Sequence, residues 1–369
     1  MIKPNERFHN LKSDFRSPYA RDRDRIIHSE SFRHLEYKTQ VFLNQEGDFF
    51  RTRLTHSIEV SQVARSISAQ LGLNENLAEA IALSHDLGHT PFGHVGGDAL
   101  DAILRENGHK SGFEHNFQSF RVVSSLERRY KKFDGLNLTF ATLEGILKHS
   151  FPYKKSFLSK NLDEIFKLDY HPSLEAMVVD RADEIAYISH DIDDGLQSGL
   201  ITMKDLRKNE LIQEVLQKVK HEGIDESDNE IFRYRLSSHL INTLVYSLLE
   251  HSRKNLKECD CSKILSATLK ATETIPIGFN PQKERQIKKL KKVLFQELYQ
   301  HEQIVRKMFA GKEAVRGLFN AFTEEPKLLS KEWRRRFKDE KTHRIIADYI
   351  ASLSDRYAMS LFNELYGRG

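Results

Sequence analysis

Apolar residues in this chain recur at spacings of three and four, the period of helices that bury one face. From Val60, the run Val63, Ala64, Ile67 and Leu71 keeps that spacing until Gly72 closes it. Leu77, Ala80, Ile81 and Leu87 repeat the pattern, with Asn76 placed to cap the start and Gly88 to end it. A third run passes from about Ser173 through Met177, Val178, Ile185, Ile188 and Ile192 to a stop at Gly195. Proline removes a backbone donor and clashes with the preceding helical turn, and it occurs only 8 times in 369 residues. Strand-like alternation is short; its best instance is Tyr37 to Leu43. These patterns predict an all-α fold without internal repeats.

A polar stretch from His221 to Glu230 and a break from Ile275 to Pro281 interrupt the later helices. The expected division is a helical core over residues 1–205 and a C-terminal helical region, 206–369, packed on it. No run approaches the roughly 18 apolar residues of a membrane span. The opening Met1-Ile2-Lys3-Pro4-Asn5-Glu6-Arg7 lacks the apolar core of a secretory signal, so a cytoplasmic protein without membrane contact is expected. Cys259 and Cys261 are too close to build a disulfide framework and read as reduced thiols. The net charge of +4 is a mild excess that suits a phosphate-bearing small molecule as well as DNA. The basic run Lys283 to Lys292 keeps single-stranded nucleic acid as an alternative partner, although such runs are usually solvated faces.

The chemistry concentrates at His85-Asp86-Leu87-Gly88-His89-Thr90-Pro91-Phe92-Gly93-His94. Gly88 and Pro91 break the helix after the His–Asp pair, so His89 and His94 fall on a turn that returns toward it. An imidazole beside a carboxylate suits a borderline or hard divalent cation such as Mn, Fe, Co or Zn. A His–Asp dipeptide alone is common by chance; three histidines within ten bent residues are a stronger signal. His56, in Arg51-Thr52-Arg53-Leu54-Thr55-His56-Ser57, is a further ligand candidate. On the third helix Asp183, Tyr187 and Asp191 follow at i, i+4 and i+8, along one side. Standing alone, such a stripe is as often a solvated face as a cleft wall.

The order His56, His85-Asp86, Asp183 resembles the HD-domain metal phosphohydrolases. The surrounding residues are similar to the deoxynucleotide triphosphohydrolases within that family. These are Arg21-Asp22-Arg23-Asp24-Arg25-Ile26-Ile27-His28-Ser29, Phe113-Glu114-His115-Asn116, Ala182-Asp183-Glu184-Ile185-Ala186-Tyr187, Asp348-Tyr349-Ile350-Ala351 and Asp355-Arg356-Tyr357-Ala358. The resemblance covers nearly the whole chain and implies an HD-domain helical core. It implies cleavage of a deoxynucleoside triphosphate, dGTP or any dNTP, to deoxynucleoside and inorganic triphosphate. The implied cofactor is a divalent metal (Mn, Mg, Fe or Co) on His56, His85, Asp86 and Asp183, which would activate water and polarise an α-phosphate oxygen.

His94 is the first choice for the general acid, since the turn after Pro91 can aim it toward the leaving oxygen. His115 is the second choice, or it contacts the α-phosphate, and His89 is a phosphate ligand or an orienting neighbour. Each has the alternative of a hydrogen-bonded structural histidine. Arg53, one turn before His56, can pair with a phosphate, and Lys148 is a second cation whose alternative is a solvated surface lysine. By resemblance Tyr187 packs against the sugar, which would exclude a 2′-hydroxyl, and Asp191 accepts the 3′-hydroxyl. Gln40 and Asn116 match positions near sugar and base, or are loop-capping amides. Where related enzymes often carry an acid three residues after the turn histidine, this chain has Gly97, with Asp98 beside it.

The resemblance further implies a homo-oligomer. Arg356 could reach a nucleotide in its own subunit or a neighbour's. It leaves open whether dNTPs act as activators as well as substrates. Two other readings stand beside it: an HD phosphohydrolase on another nucleotide, and a weakly catalytic nucleotide or single-stranded nucleic-acid sensor.

Overall fold

The computed structural model describes residues 3–12, 14–40, 50–150, 159–258, 275–338 and 340–367. Among them there are 17 α-helices and no strand, only three isolated bridges. In chain order the first eight helices are α1 (Pro18–Ile27), α2 (Glu30–His34), α3 (Arg53–Leu71), α4 (Glu75–Ser84), α5 (Gly93–Glu106), α6 (His115–Arg121), α7 (Phe140–Leu147) and α8 (Lys160–Phe166). Next come α9 (Leu174–Ser198), α10 (Met203–Leu206), α11 (Glu210–His221), α12 (Asn229–Glu258) and α13 (Pro281–Leu294). The last four are α14 (Glu302–Glu324), α15 (Lys331–Arg335), α16 (Thr342–Ser352) and α17 (Asp355–Tyr366). No described helix is long and apolar enough to cross a membrane. The chain folds into two compact units. One is formed by Met1–Ser57, Leu83–Leu168 and Arg306–Gly369, the other by Ile58–Ala82 and Asp169–Val305.

The first unit is organised on an apolar cluster in which Leu100, Ile103 and Leu104 of α5 meet Val315, Phe319 and Phe322 of α14 and Ile346 and Ile350 of α16. Phe92, at the entrance to α5, belongs to this cluster. A Cβ on Gly311 would lie 2.4 Å from Cγ of Phe92, so only glycine lets the ring seat against α14. Burying such a ring stabilises the fold by about 2–3 kcal/mol. The N-terminal segment is fastened by Asp22, which is fully buried. Its carboxylate accepts from Arg7, from Thr139 N at 2.9 Å and from the hydroxyls of Thr139 and Thr142 at 2.6 and 2.8 Å. Thr139 also caps α7, so one knot holds the N-terminus and the helix leading to Lys148.

In the second unit α9 packs along α12, and Ile185, Ile188 and Ile192 of α9 and Leu236, Leu240 and Leu244 of α12 are all fully buried. Ser173 caps α9 through Ala176 N, and Gly199, with φ +73°, ends it. The helix therefore runs past the stop expected at Gly195. That glycine instead admits Ile201, whose side chain would lie 2.8 Å from an added Cβ.

Three further expectations are corrected. Helix α4 is capped by Asn74, whose Oδ1 accepts from Leu77 N at 3.1 Å, and not by Asn76. It ends at Ser84, so His85-Asp86 lies just past the helix and Gly88 does not cap it. Residues 37–40 form no strand: Leu35–Tyr37 is a 3-10 turn and Thr39 makes one isolated bridge with Thr52. The rest of that expected strand, 41–43, and both cysteines lie outside the described residues.

Candidate metal and phosphate site

The turn from His85 to Phe92 carries much of the chemistry of the first unit, and nearly every backbone group that shapes it is paired. Gly88 N donates to Ser119 Oγ at 2.8 Å, and the same hydroxyl donates to His85 O at 2.7 Å. A Cβ on Gly88 would lie 2.1 Å from Ser119 N and 2.3 Å from His115 O. The glycine at this position is thus required by close backbone approach to α6. Lys38 Nζ donates to His89 O at 2.6 Å. Phe92 N donates to Asp355 Oδ1 at 3.0 Å. Phe92 adopts φ 63°, ψ 26°, a left-handed conformation that costs a non-glycine residue about 1–2 kcal/mol and needs such support.

Asp86 is the hub. Its Oδ2 accepts from Arg53 Nη1 at 2.7 Å and lies 3.7 Å from His56 Nε2. Its Oδ1 is 3.3 Å from His85 Nε2 and 3.1 Å from His89 Nε2. His56, His85 and Asp86 are buried and offer ligand atoms that all lie within 4.8 Å of one another. Two imidazoles and a carboxylate are a donor set that a divalent cation of the Mn, Fe or Co type accepts, so the residues present fit a metal. Burial alone would raise the Asp86 carboxyl, but His85, Arg53 and His89 outweigh it and hold it well below the usual carboxylate range.

Beside Asp86 three histidines stand together. Ring centroids of His89 and His115 are 4.4 Å apart, those of His89 and His94 5.3 Å, and those of His94 and His115 5.9 Å. Burial and the Arg53 charge push the His89 ring well below the usual histidine range. Burial, with His94 adding repulsion, pulls His115 down to about 3. His94 alone of the three is exposed, at the second residue of α5. Asp98, one turn further along α5, is exposed and makes no hydrogen bond or ion pair among the described residues. The acid next to Gly97 therefore does not hold His94.

Arg53 is 3% exposed and opens α3, so its guanidinium lies inside the site; its Nε has no partner among the described residues. Lys148 is fully buried, its Nζ donating to Glu144 Oε1 at 2.7 Å, which removes the solvated-lysine alternative. Asn116 Nδ2 donates to His149 O at 2.8 Å, while Asn116 Oδ1 and Gln40 Oε1 are buried acceptors unpaired among the described residues. Buried acceptors of this kind are costly and mark places that a ligand's donors can satisfy. Arg356 is exposed at the start of α17 and is not brought to the cluster; its neighbour Asp355 is the residue that turns inward.

In the second unit Asp183 and Tyr187 are half-buried and Asp191 is buried, so this side of α9 is not a solvated face. Tyr299 donates its hydroxyl to Asp191 Oδ2, and His190 Nδ1 is 3.3 Å from Oδ1. The Lys291 ammonium sits 5.4 Å from the centre of the Tyr187 ring. Burial, with Glu184 next, raises the Tyr187 hydroxyl far above the usual range and keeps it neutral. The basic run of α13 is exposed except for Lys283, and part of its charge is paired within this unit: Lys283 with Glu214 at 2.8 Å, Lys289 with Glu210 at 3.0 Å and Lys291 with Glu184 at 2.9 Å.

Sequence reasoning missed four residues here. His149, buried, has its ring 4.9 Å from that of His85; its signal was only its place after Lys148. Tyr299 on Asp191 had no motif around it. Lys38 and Asp355, which hold the histidine turn through His89 O and Phe92 N, are the other two.

Comparison with known proteins agrees with these features. The HD domain family matches residues 53–188, and the phosphohydrolase-associated domain matches residues 277–364. A deoxyguanosinetriphosphate triphosphohydrolase-like protein of Wolinella succinogenes is 62% identical over 366 residues, covering 99% of this chain and 100% of its own length. Proteins of the same description from Nitrosomonas europaea and Geobacter metallireducens are 46% and 43% identical over 360 and 357 residues. These alignments cover 98% and 96% of this chain, and 94% and 89% of the relatives.

Proposed function

The chain belongs to the deoxyguanosinetriphosphate triphosphohydrolase-like family of HD-domain phosphohydrolases, and from that premise we propose that it hydrolyses deoxynucleoside triphosphates to deoxynucleoside and inorganic triphosphate. The observation that carries this reading is the position of Asp86. Its Oδ1 lies against both His85 and His89 and its Oδ2 against His56, so this one carboxylate joins the ligand pair His56 and His85 to the row His89, His115 and His94. This arrangement supports a metal position and a proton donor on neighbouring parts of the same histidine turn.

The donors assigned to the metal are His56, His85 and Asp86. Asp183 is proposed as the fourth from the family pattern, since the HD-domain match runs unbroken from 53 to 188. A divalent cation held there supplies an activated water and neutralises phosphate charge. Water adds to the α-phosphorus, the bond from phosphorus to the 5′-oxygen breaks, and a proton must reach that oxygen as it leaves. His94 is assigned the donation: it is exposed to incoming substrate, whereas His115 is half-buried against the His89 ring and is suited to hydrogen-bonding an α-phosphate oxygen. Arg53 keeps Asp86 ionised through Nη1 and has Nε left for a phosphate oxygen. Lys148 adds a buried positive charge for the triphosphate. Gln40 and Asn116 are assigned to sugar and base on the strength of their unpaired acceptors, and Tyr187 and Asp191 to C2′ and the 3′-hydroxyl.

The test is to incubate the protein with each dNTP, singly and mixed, with Mn or Mg, and to separate the products by chromatography. Deoxynucleoside and intact triphosphate in equal amounts, abolished by EDTA and restored by Mn, are expected. Orthophosphate or pyrophosphate as the inorganic product contradicts the reading.

A further inference from the structure

The segment Lys38-Thr39-Gln40 is joined to four other parts of the first unit at once. Lys38 O accepts from Arg53 N at 3.2 Å, which ties it to the first residue of α3. Lys38 Nζ donates to His89 O at 2.6 Å and to Ala351 O at 2.8 Å, which ties it to the histidine turn and to α16. Thr39 N donates at 3.0 Å to Asp355 Oδ2, and the other oxygen of that carboxylate accepts from Phe92 N. Both Lys38 and Asp355 are buried, so these bonds are not exchanged for water. Phe92 is the left-handed residue immediately before Gly93-His94, and Gln40 directly follows Thr39.

We propose that Lys38 and Asp355 are positioning residues: together they clamp the histidine turn through its backbone and set His94 in register with the substrate contacts of Gln40 and Arg53. The assignment rests on the functional reading above, and its experiment separates the two. Neither side chain touches a metal ligand or lies where substrate is placed, so each acts only through the turn. The clamp joins the proton donor to the substrate readers by three short links: Lys38 to His89, Asp355 to Phe92, and Asp355 to Thr39. Loosening any of them lets Phe92 relax from its left-handed conformation and swings His94 away, while His56, His85 and Asp86 stay fixed through α3 and Ser119. The loss should therefore fall on kcat and leave substrate and metal binding alone.

Two variants test this. Lys38→Met keeps length and burial while removing the donor. Asp355→Ala leaves both Thr39 N and Phe92 N without an acceptor. The amide of Phe92 reports the clamp by hydrogen exchange, and that of Gly88, bonded to Ser119 Oγ, serves as the internal control. In both variants Phe92 should exchange at least about tenfold faster with Gly88 unchanged. kcat should fall about 10–100-fold, with KM and Mn affinity within about threefold of the parent. Unchanged Phe92 exchange overturns the clamp. So does unchanged kcat with a loosened Phe92, and so does Mn affinity falling in step with kcat, which marks general collapse. If the parent protein releases no triphosphate from any dNTP, the functional reading fails by itself, and the exchange of Phe92 against Gly88 still decides the clamp.

Discussion

At the scale of single residues, the division of labour rests on which histidine can carry a proton. His94 is exposed, while His115 is pulled down to about 3 and stays neutral at pH 7. His94→Gln should lower kcat about 10²–10⁴-fold and abolish the alkaline limb of the pH–kcat profile, because the donor must be protonated to act. His115→Gln should cost less and keep that limb; steady-state kinetics across pH separates the two. The proximity of His56 to His85 and Asp86 was legible through the order of the motifs, whereas the bend at Gly88 and Pro91 pointed only to His89 and His94. Lys38 was not legible. A lysine between Tyr37 and Thr39 has no periodic signal, and its burial is decided by Ala351, some 300 positions away in sequence. Arg356 was singled out from the late motif through the resemblance, while its neighbour Asp355 is the residue the fold turns inward.

At the scale of elements, two glycines serve opposite needs. Gly72 ends α3 at φ +70° with open space around it, so Gly72→Ala should cost only the left-handed backbone penalty, about 1 kcal/mol. Gly88→Ala drives a Cβ against backbone atoms of α6 that have no free space to yield, and should cost about 3 kcal/mol or more. Urea denaturation of both variants compares them; equal losses would mean that close packing of the turn on α6 is unimportant. The periodic spacing told where helices lie but not which glycine stops them. Gly72 and Gly88 look alike in sequence, and Gly195 looks like a stop, yet two of the three are there to admit a neighbour. Likewise the helix-capping asparagine, Asn74, stands two positions before the one expected, because both can cap and only packing chooses between them.

At the scale of the whole molecule, buried charge links the site to folding stability. Burial, with Arg53 adding repulsion, pulls Lys38 down to about 7, against opposing attraction from Asp355 and Asp86. Unfolded, this lysine keeps its proton up to its ordinary value near 10.5. Between about pH 7 and 10.5 the unfolded chain therefore binds more protons, and stability rises with pH across that window, by at most about 1.4 kcal/mol per unit. Below pH 7 the full cost of the buried charge is present. Lys38→Met should flatten this rise, which denaturation at pH 7 and pH 9 can measure. An all-helical chain was legible throughout because helical periodicity is local. The division into two interleaved units was not, since α3 and α4 each pass from one unit to the other and no composition change marks the crossing.

The central claim is attack of water at the α-phosphorus with release of the whole triphosphate. Hydrolysis of dGTP in ¹⁸O-labelled water, followed by mass spectrometry of both products, tests it directly. Attack at the α-phosphorus puts one labelled oxygen in the inorganic triphosphate and none in deoxyguanosine. Label in deoxyguanosine, or label in orthophosphate or pyrophosphate in place of triphosphate, would contradict it.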